Sequence, residues 1–226
     1  MMVSIIVPVL NEEEGIEEFL NHLQKFKGQS EIILVDGGSE DKTAEIASRF
    51  DDIAVVKSRR GRARQMNAGA KFANGDILLF LHADTHLPEK AISAVEKIIG
   101  DGADGGCFSL KVDSPHLPLT VASQFINLRT KVTHVATGDQ TIFVRRKIFD
   151  ELGGYADIPL MEDLDFTRRL KKMGNFAPLD LEVSTSSRRW EKLGVYKTIL
   201  LMWLLKTLYY IGVSPEKLSE FYRDVR

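Results

Sequence analysis

From residue 4 to residue 99 the chain alternates short aliphatic runs with stretches patterned every three to four residues, and this alternation limits the folds open to it. Ser4–Leu10, Glu31–Val35, Ile53–Lys57 and Ile77–Leu81 read as strands, rich in Ile, Val and Leu. Between them lie helical patterns. Ile16, Phe19, Leu20 and Leu23 share one face; Thr43–Phe50 is a short helix; Arg62–Ala73 turns Met66, Ala70 and Ala73 inward; Ala91–Ile99 closes the series. Ile77–Leu81 holds no polar residue, as expected of a central strand covered on both faces. Strand and helix in alternation predict an α/β fold with a parallel sheet.

Element ends carry their own signals. Asn11 is placed to cap the first helix, with Glu12, Glu13 and Glu14 in its first turn, where the helix dipole favours acids, and Gly28 ends it. The second half is less regular. Strands are expected at Gly102–Val112, Gln140–Val144 and Leu181–Thr185, and helices at Leu117–Thr133, Arg146–Leu152 and Leu164–Met173, the last capped by Gly174. Ser214-Pro215-Glu216 starts a final helix. With no repeat and no linker, residues 1–226 read as one domain ending in an apolar helical segment at about 195–226.

Composition removes several functions. Thirty basic residues against 32 acidic ones give a net charge of −2, which lacks the basic surplus that nucleic-acid binding needs. One cysteine, Cys107, excludes an internal disulfide framework and a thiolate zinc cluster. With no leader pattern at the N-terminus, it points to a reducing, cytoplasmic compartment. There is no Walker A sequence, no GxGxxG after the first strand and no GxSxG elbow.

In parallel α/β sheets ligands bind beyond the C-terminal ends of the strands. Three segments occupy such places: Pro8–Glu12, Asp36–Ser39 and His82–Thr85. Asp36 precedes two glycines and can accept a hydrogen bond from a nucleobase; the plainer reading is a turn aspartate. In extended chain His82, Asp84 and His86 would share a face and suit Mg²⁺ or Mn²⁺, the histidine favouring Mn²⁺. Met161-Glu162-Asp163-Leu164-Asp165 sets acids at a helix start, where the dipole alone explains them. Asp163 also shares the inward stripe of Phe166 and Leu170, where an apolar wall raises a carboxylate toward the range of a general base. Arg62-Ala63-Arg64 and Arg188-Arg189-Trp190 are basic clusters that fit a diphosphate or a solvated surface equally. Gly138-Asp139-Gln140 offers polar groups ahead of a strand.

In this order, the segments resemble the family 2 glycosyltransferases of the GT-A fold. The matching pieces are Val7-Pro8-Val9-Leu10-Asn11-Glu12-Glu13, Val35-Asp36-Gly37-Gly38-Ser39 with Asp41-Lys42-Thr43, Arg64-Gln65-Met66-Asn67-Ala68-Gly69, Leu81-His82-Ala83-Asp84-Thr85, Gly138-Asp139-Gln140, Gly153-Gly154-Tyr155 and Glu162-Asp163. The resemblance implies an α/β fold with a mixed, mostly parallel sheet flanked by helices, a nucleotide-diphosphate sugar donor (a UDP-sugar as first guess), Mn²⁺ or Mg²⁺, and inverting transfer of a hexose to an acceptor hydroxyl or carboxyl. By position, Pro8, Asn11 and Glu12 lie near the nucleoside and Asp36 bonds the base. Asp84 holds the metal as the last acid of the family's Asp-x-Asp motif, and Asp163 is the catalytic base. Arg64, Asn67, Ala83, Gly138, Asp139, Glu162, Arg188, Arg189 and Trp190 are assigned to substrate. His82 stands where many members carry Asp, and is the second candidate metal ligand. The Ser-Arg-Arg-Trp segment is similar to, but not the same as, the Gln-x-x-Arg-Trp motif of processive synthases, and a non-processive transferase is expected.

Two other classes compete. A nucleotidyltransferase shares such a sheet but opens with a glycine-rich basic loop, where this chain has Asn11-Glu12-Glu13-Glu14. A non-enzymatic nucleotide-sugar binding protein would tolerate loss of Asp163. The C-terminal run also has two readings. Its uninterrupted stretch Ile199–Leu205 is too short to span a bilayer. It is either a buried or homodimer-packing helix, or a helix that touches the inner face of the cell membrane and meets a lipid or carotenoid-like acceptor.

Overall fold

The computed structural model describes residues 1–187 and 194–225, with the backbone alone for 223–225. Its centre is one eight-stranded sheet in the order β3-β2-β1-β4-β7-β6-β8-β5. The strands are β1 (Val3–Val9), β2 (Ser30–Asp36), β3 (Ile53–Lys57), β4 (Ile77–Phe80), β5 (Thr85–His86), β6 (Gly105–Asp113), β7 (Ile142–Arg145) and β8 (Phe176–Ser186). The β1–β2, β2–β3, β1–β4 and β6–β8 pairs are parallel; β4–β7, β6–β7 and β5–β8 are antiparallel.

The described helices are α1 (Ile16–Leu23), α2 (Thr43–Ala47), α3 (Arg62–Phe72), α4 (Ala91–Gly100), α5 (Leu117–Thr133), α6 (Arg146–Glu151), α7 (Glu162–Met173), α8 (Val195–Tyr210) and α9 (Pro215–Val225). They cover both faces of the sheet, and side-chain alternation shows why the strands lack a polar face. In β1, Val3, Ile5, Val7 and Val9 pack with α1 and α4, whereas Ile6 packs with α3. In β4, Ile77 and Leu79 point one way and Leu78 and Phe80 the other. On α3, Met66, Ala70 and Ala73 are buried as expected. Gly69 brings that helix close, since a Cβ there would lie 2.4 Å from Ile6 Cγ2.

Some element readings change. α1 starts at Ile16, so Asn11 does not cap it. Instead Asn11 takes a left-handed conformation (φ 53), which asparagine tolerates, and its side-chain oxygen accepts the Glu40 amide at 2.9 Å. The two loops beyond β1 and β2 are thereby tied together. Gln140 belongs to a 3₁₀ turn, Gly138–Gln140, rather than to β7. β8 has eleven residues rather than five. Polar residues such as Asp180 and Glu182 interrupt its apolar positions, and most of the strand is only half-buried.

The C-terminal segment combines a core face and an open one. Leu201 and Leu205 of α8 are buried against Met161, Leu164 and Leu218, while Leu200, Trp203 and Leu204 are exposed. No described helix is long and apolar enough to cross a membrane.

Candidate functional site

Topology sets one edge of the sheet as the site. β1, β2 and β4 are mutually parallel or parallel to a shared neighbour, so Val9, Asp36 and the residues after Phe80 leave the sheet on one side. β7 is antiparallel to β4 with Phe80 opposite Ile142, which brings the Gly138–Gln140 turn to the same side. A cavity of about 470 Å³ opens there, lined by Arg62, His82, Asp84, Thr137, Asp139, Glu162 and Asp163 on its sheet side, and by α5 and α8 opposite.

Asp163 is held by two amides. Gly138 N donates to its Oδ2 at 2.7 Å and Leu164 N to its Oδ1 at 2.7 Å. The carboxylate is thereby aimed while keeping an edge toward the cavity that it lines. Glu162 is nearly buried and meets Arg62 Nη1 at 3.4 Å. Burial pushes its carboxyl up to about 7, with Asp163 adding to the rise and Arg62 opposing it. Both acids are presented by Met161, the residue before α7, which is buried in a left-handed conformation (φ 67) unusual for a side chain of its kind.

Beside the cavity, the β1 and β2 loops form a second wall. Asp36 is buried, and its Oδ1 accepts the Ser39 amide at 3.0 Å and the Ser39 hydroxyl at 2.6 Å. Asn11 N donates to Ser39 Oγ at 3.0 Å, and Glu12 N to Thr43 Oγ1 at 2.8 Å. Pro8, in β1 beside Val35, lies within this wall. Below it sits a residue to which sequence reasoning gave no role: buried Gln65, whose Nε2 donates to both Val9 O and Val35 O at 2.8 Å.

The candidate residues therefore divide. His82, Asp84, Asp139, Glu162 and Asp163 line the cavity, and Gly138 lies against the His82 ring in a small pocket that shares His82, Glu162 and Asp163 with it. His86 turns away from the expected convergence: β5 carries it outward, where it stacks on His22 at 4.5 Å. Of the first basic cluster, Arg62 lines the cavity, while Arg64 pairs with Asp157 at 2.7 Å outside it. Asn67 exchanges hydrogen bonds with Tyr155, donating at 2.8 Å and accepting at 2.9 Å, and so fixes the Gly153-Gly154-Tyr155 loop. Ala83 packs against the core under β4. Arg188, Arg189 and Trp190 lie outside the described residues.

The donor set can be tested against a divalent cation. Among the described residues no group of three or more His, Cys, Asp or Glu side chains could hold a metal. Asp84 exposes a carboxylate to the cavity, with His82 on the same wall. One or two protein ligands with room for phosphate oxygens suit Mg²⁺ or Mn²⁺, which retain exchangeable positions.

Comparison with known proteins agrees with this geometry. Residues 4–155 match the model of glycosyl transferase family 2. The chain is 27% identical over 217 residues to the probable glycosyltransferase YdaM of Bacillus subtilis, covering 84% of this chain and 52% of the relative. It is 29% identical over 226 residues to the undecaprenyl-phosphate 4-deoxy-4-formamido-L-arabinose transferase of Proteus mirabilis, covering 91% and 67%. The chain thus spans about half to two thirds of such relatives. Among solved structures, the mannosyltransferase PcManGT of Pyrobaculum calidifontis, in complex with GDP-Man and Mn²⁺, superposes with a TM-score of 0.73 at 20% identity, over 96% of this chain and 67% of that one. TarS of S. aureus in complex with UDP-GlcNAc gives 0.67 at 20% identity, over 82% and 58%. The fold is the GT-A fold expected from the resemblance, and the chain belongs to glycosyl transferase family 2.

Proposed function

We propose that this chain is a metal-dependent, inverting transferase that moves a hexose from a nucleoside-diphosphate sugar to an acceptor O–H, with a UDP-sugar as donor and a lipid as acceptor. The carrying observation is that Asp84 and Asp163 line one cavity at the ligand edge of the sheet, with Arg62 close enough to be stabilised by both of them and by Glu162. The named substrates of similar proteins support the reading: GDP-Man with Mn²⁺ for the mannosyltransferase, and an undecaprenyl phosphate for the arabinose transferase.

Each residue then has a role. The wall of Pro8, Asn11 and Glu12 receives the nucleoside, and the buried Asp36 carboxylate accepts from the base. Asp84, with His82 beside it, would hold the cation, which when bound neutralises charge on the diphosphate leaving group. Arg62, fixed by Glu162, adds a positive charge on the same side. Asp163, aimed by its two amides, takes the proton of the acceptor O–H. The outward apolar residues of α8 and α5, among them Trp203 and Leu128, provide a peripheral membrane contact through which a lipid reaches the cavity.

A thermal-shift panel of UDP-, GDP-, ADP- and dTDP-sugars, with and without Mn²⁺, tests the donor side, because a ligand of the native state raises the melting temperature. D84N is expected to lose the Mn²⁺-dependent shift. D163N is expected to keep it and to lose transfer by ~10²-fold or more. Wild-type transfer by D163N would refute the base. Flotation with anionic vesicles tests the membrane contact; a protein that stays with the aqueous phase removes it.

A further inference from the structure

The cavity that reaches Asp163 holds two cations that the transfer chemistry leaves unused. Arg129 projects from α5 and Lys206 from α8, on walls facing the sheet. Neither makes an ion pair among the described residues. Among the described residues, Nε of Arg129 is buried with no hydrogen-bond partner, and its Nη2 makes a long contact to Thr130 Oγ1 at 3.5 Å. Buried donors of a charged group are costly when left unmade, so their persistence marks a place built for an acceptor. Lys206 lines the same cavity close enough to Arg129 for the two charges to repel: burial lowers the Lys206 pKa, Asp139 and Asp163 oppose that fall, and Arg129 adds to it. An incoming anion would relieve the mutual repulsion of the two cations.

What surrounds the pair is apolar. Phe125 and Ile126 of α5 face Ile199, Met202 and Trp203 of α8 across the same cavity. Its outer rim is apolar too, Phe125 being 56% and Trp203 61% exposed. A free sugar would leave these walls unmatched, and an uncharged long-chain alcohol would leave the cations unmatched. A carboxylate brings one charge and two acceptor oxygens, whereas a phosphate monoester brings between one and two charges and three oxygens, which answers two cationic side chains.

We infer that Arg129 and Lys206 form the head-group subsite of the acceptor, and that this acceptor is a phosphate monoester with a hydrocarbon tail lying between α5 and α8. The assignment of this ligand as acceptor rests on the transferase reading above: the acceptor O–H is then the P–O–H of the phosphate monoanion, whose proton passes to Asp163 as its oxygen bonds the sugar carbon and the nucleoside diphosphate leaves.

The full chain is titrated with farnesyl phosphate, farnesol and inorganic phosphate, each followed by tryptophan fluorescence, since Trp203 borders the cavity. Farnesyl phosphate is expected to bind at least ~10-fold tighter than either of the others. R129M/K206M is expected to erase its advantage over farnesol, and R129K to retain most of it. Equal affinity of the wild-type protein for farnesyl phosphate and farnesol overturns the head-group assignment without recourse to any variant. Inorganic phosphate binding as tightly as farnesyl phosphate overturns the tail assignment, and a folded double variant that keeps the preference overturns the role of the two cations. UDP binding with Mn²⁺ is scored separately on the wild-type chain. Its failure removes the transferase reading and leaves the anion subsite standing.

Discussion

The Gly138 amide donates to Asp163 Oδ2 at 2.7 Å, and a methyl group on the same glycine would lie 2.8 Å from His82 Nε2. Residue 138 therefore holds the proposed base with its backbone and leaves room for the histidine beside the proposed metal ligand Asp84. G138A must either swing the His82 ring into the cavity or stretch the bond to Asp163. Both disturb the site more than the fold. We expect nucleoside-diphosphate release from the donor to fall ~10-fold or more, and the melting temperature by less than ~4 °C, the effect of roughly 1 kcal/mol on a chain of this size. Unchanged turnover with a lower melting temperature would show that the close approach is structural only.

Glu162 gives the site a pH-dependent stability. Its carboxyl titrates near 7 in the folded chain because burial disfavours the charged form, whereas the unfolded value is near 4.5. The native state binds the extra proton between those limits, so this group's contribution is fully present below 4.5 and is lost as pH rises toward 7. E162Q removes that titration. The stability of E162Q relative to wild type should therefore improve with rising pH, by up to ~3 kcal/mol across the interval at ~1.4 kcal/mol per pH unit. Urea midpoints at pH 4.5, 6 and 7.5 check this. A constant difference across the series would place the Glu162 pKa near its ordinary value.

Gln65 is the cross-brace of the wall proposed to receive the nucleoside. Its amide bonds Val9 O and Val35 O at the ends of two neighbouring strands, and it is only 4% exposed. Q65L keeps much of the volume but offers neither carbonyl a donor. The expected cost is ~2–3 kcal/mol in unfolding free energy, from two neutral hydrogen bonds and partly desolvated carbonyls. A weaker UDP affinity should accompany it, because Asp36 follows Val35 directly. Denaturant melts and UDP titration measure the two effects; a stability loss with unchanged UDP affinity would separate the brace from the site.

Legibility followed the physical signal. Ile77–Leu81 was readable as a two-faced strand because burial on both sides leaves no polar residue, and Met66, Ala70 and Ala73 because one helix face was apolar. Asn11 was misread because the same side chain serves a helix cap and a left-handed turn, and only the neighbouring Glu40 amide decides between them. β8 was cut short because its exposed positions admit Asp180 and Glu182. Gln65 went unnoticed because a glutamine on a helix looks solvated until the helix is placed across two strand ends. Arg129 and Lys206 were likewise invisible, since only packing of α5 beside α8 brings them to one cavity.

Met161 poses a contest between strain and packing that magnitudes decide. Its left-handed backbone (φ 67) costs ~1–2 kcal/mol relative to glycine, which favours M161G. Its side chain, however, is buried with Leu164, Leu201, Leu205 and Leu218, and deleting a buried methionine typically costs ~2–5 kcal/mol. Packing wins, so M161G is expected to lose ~1–3 kcal/mol in urea unfolding despite the relieved backbone. The loss has a functional side, because the same residue sets the start of α7 and hence the direction of Glu162 and Asp163. Asparagine tests the two contributions apart: it also tolerates the left-handed region but puts a polar amide in the apolar cluster, so M161N should be less stable than M161G. If instead M161G proves more stable than wild type, the strain at this position outweighs the packing, and the apolar cluster around α8 contributes little to holding the acids in place.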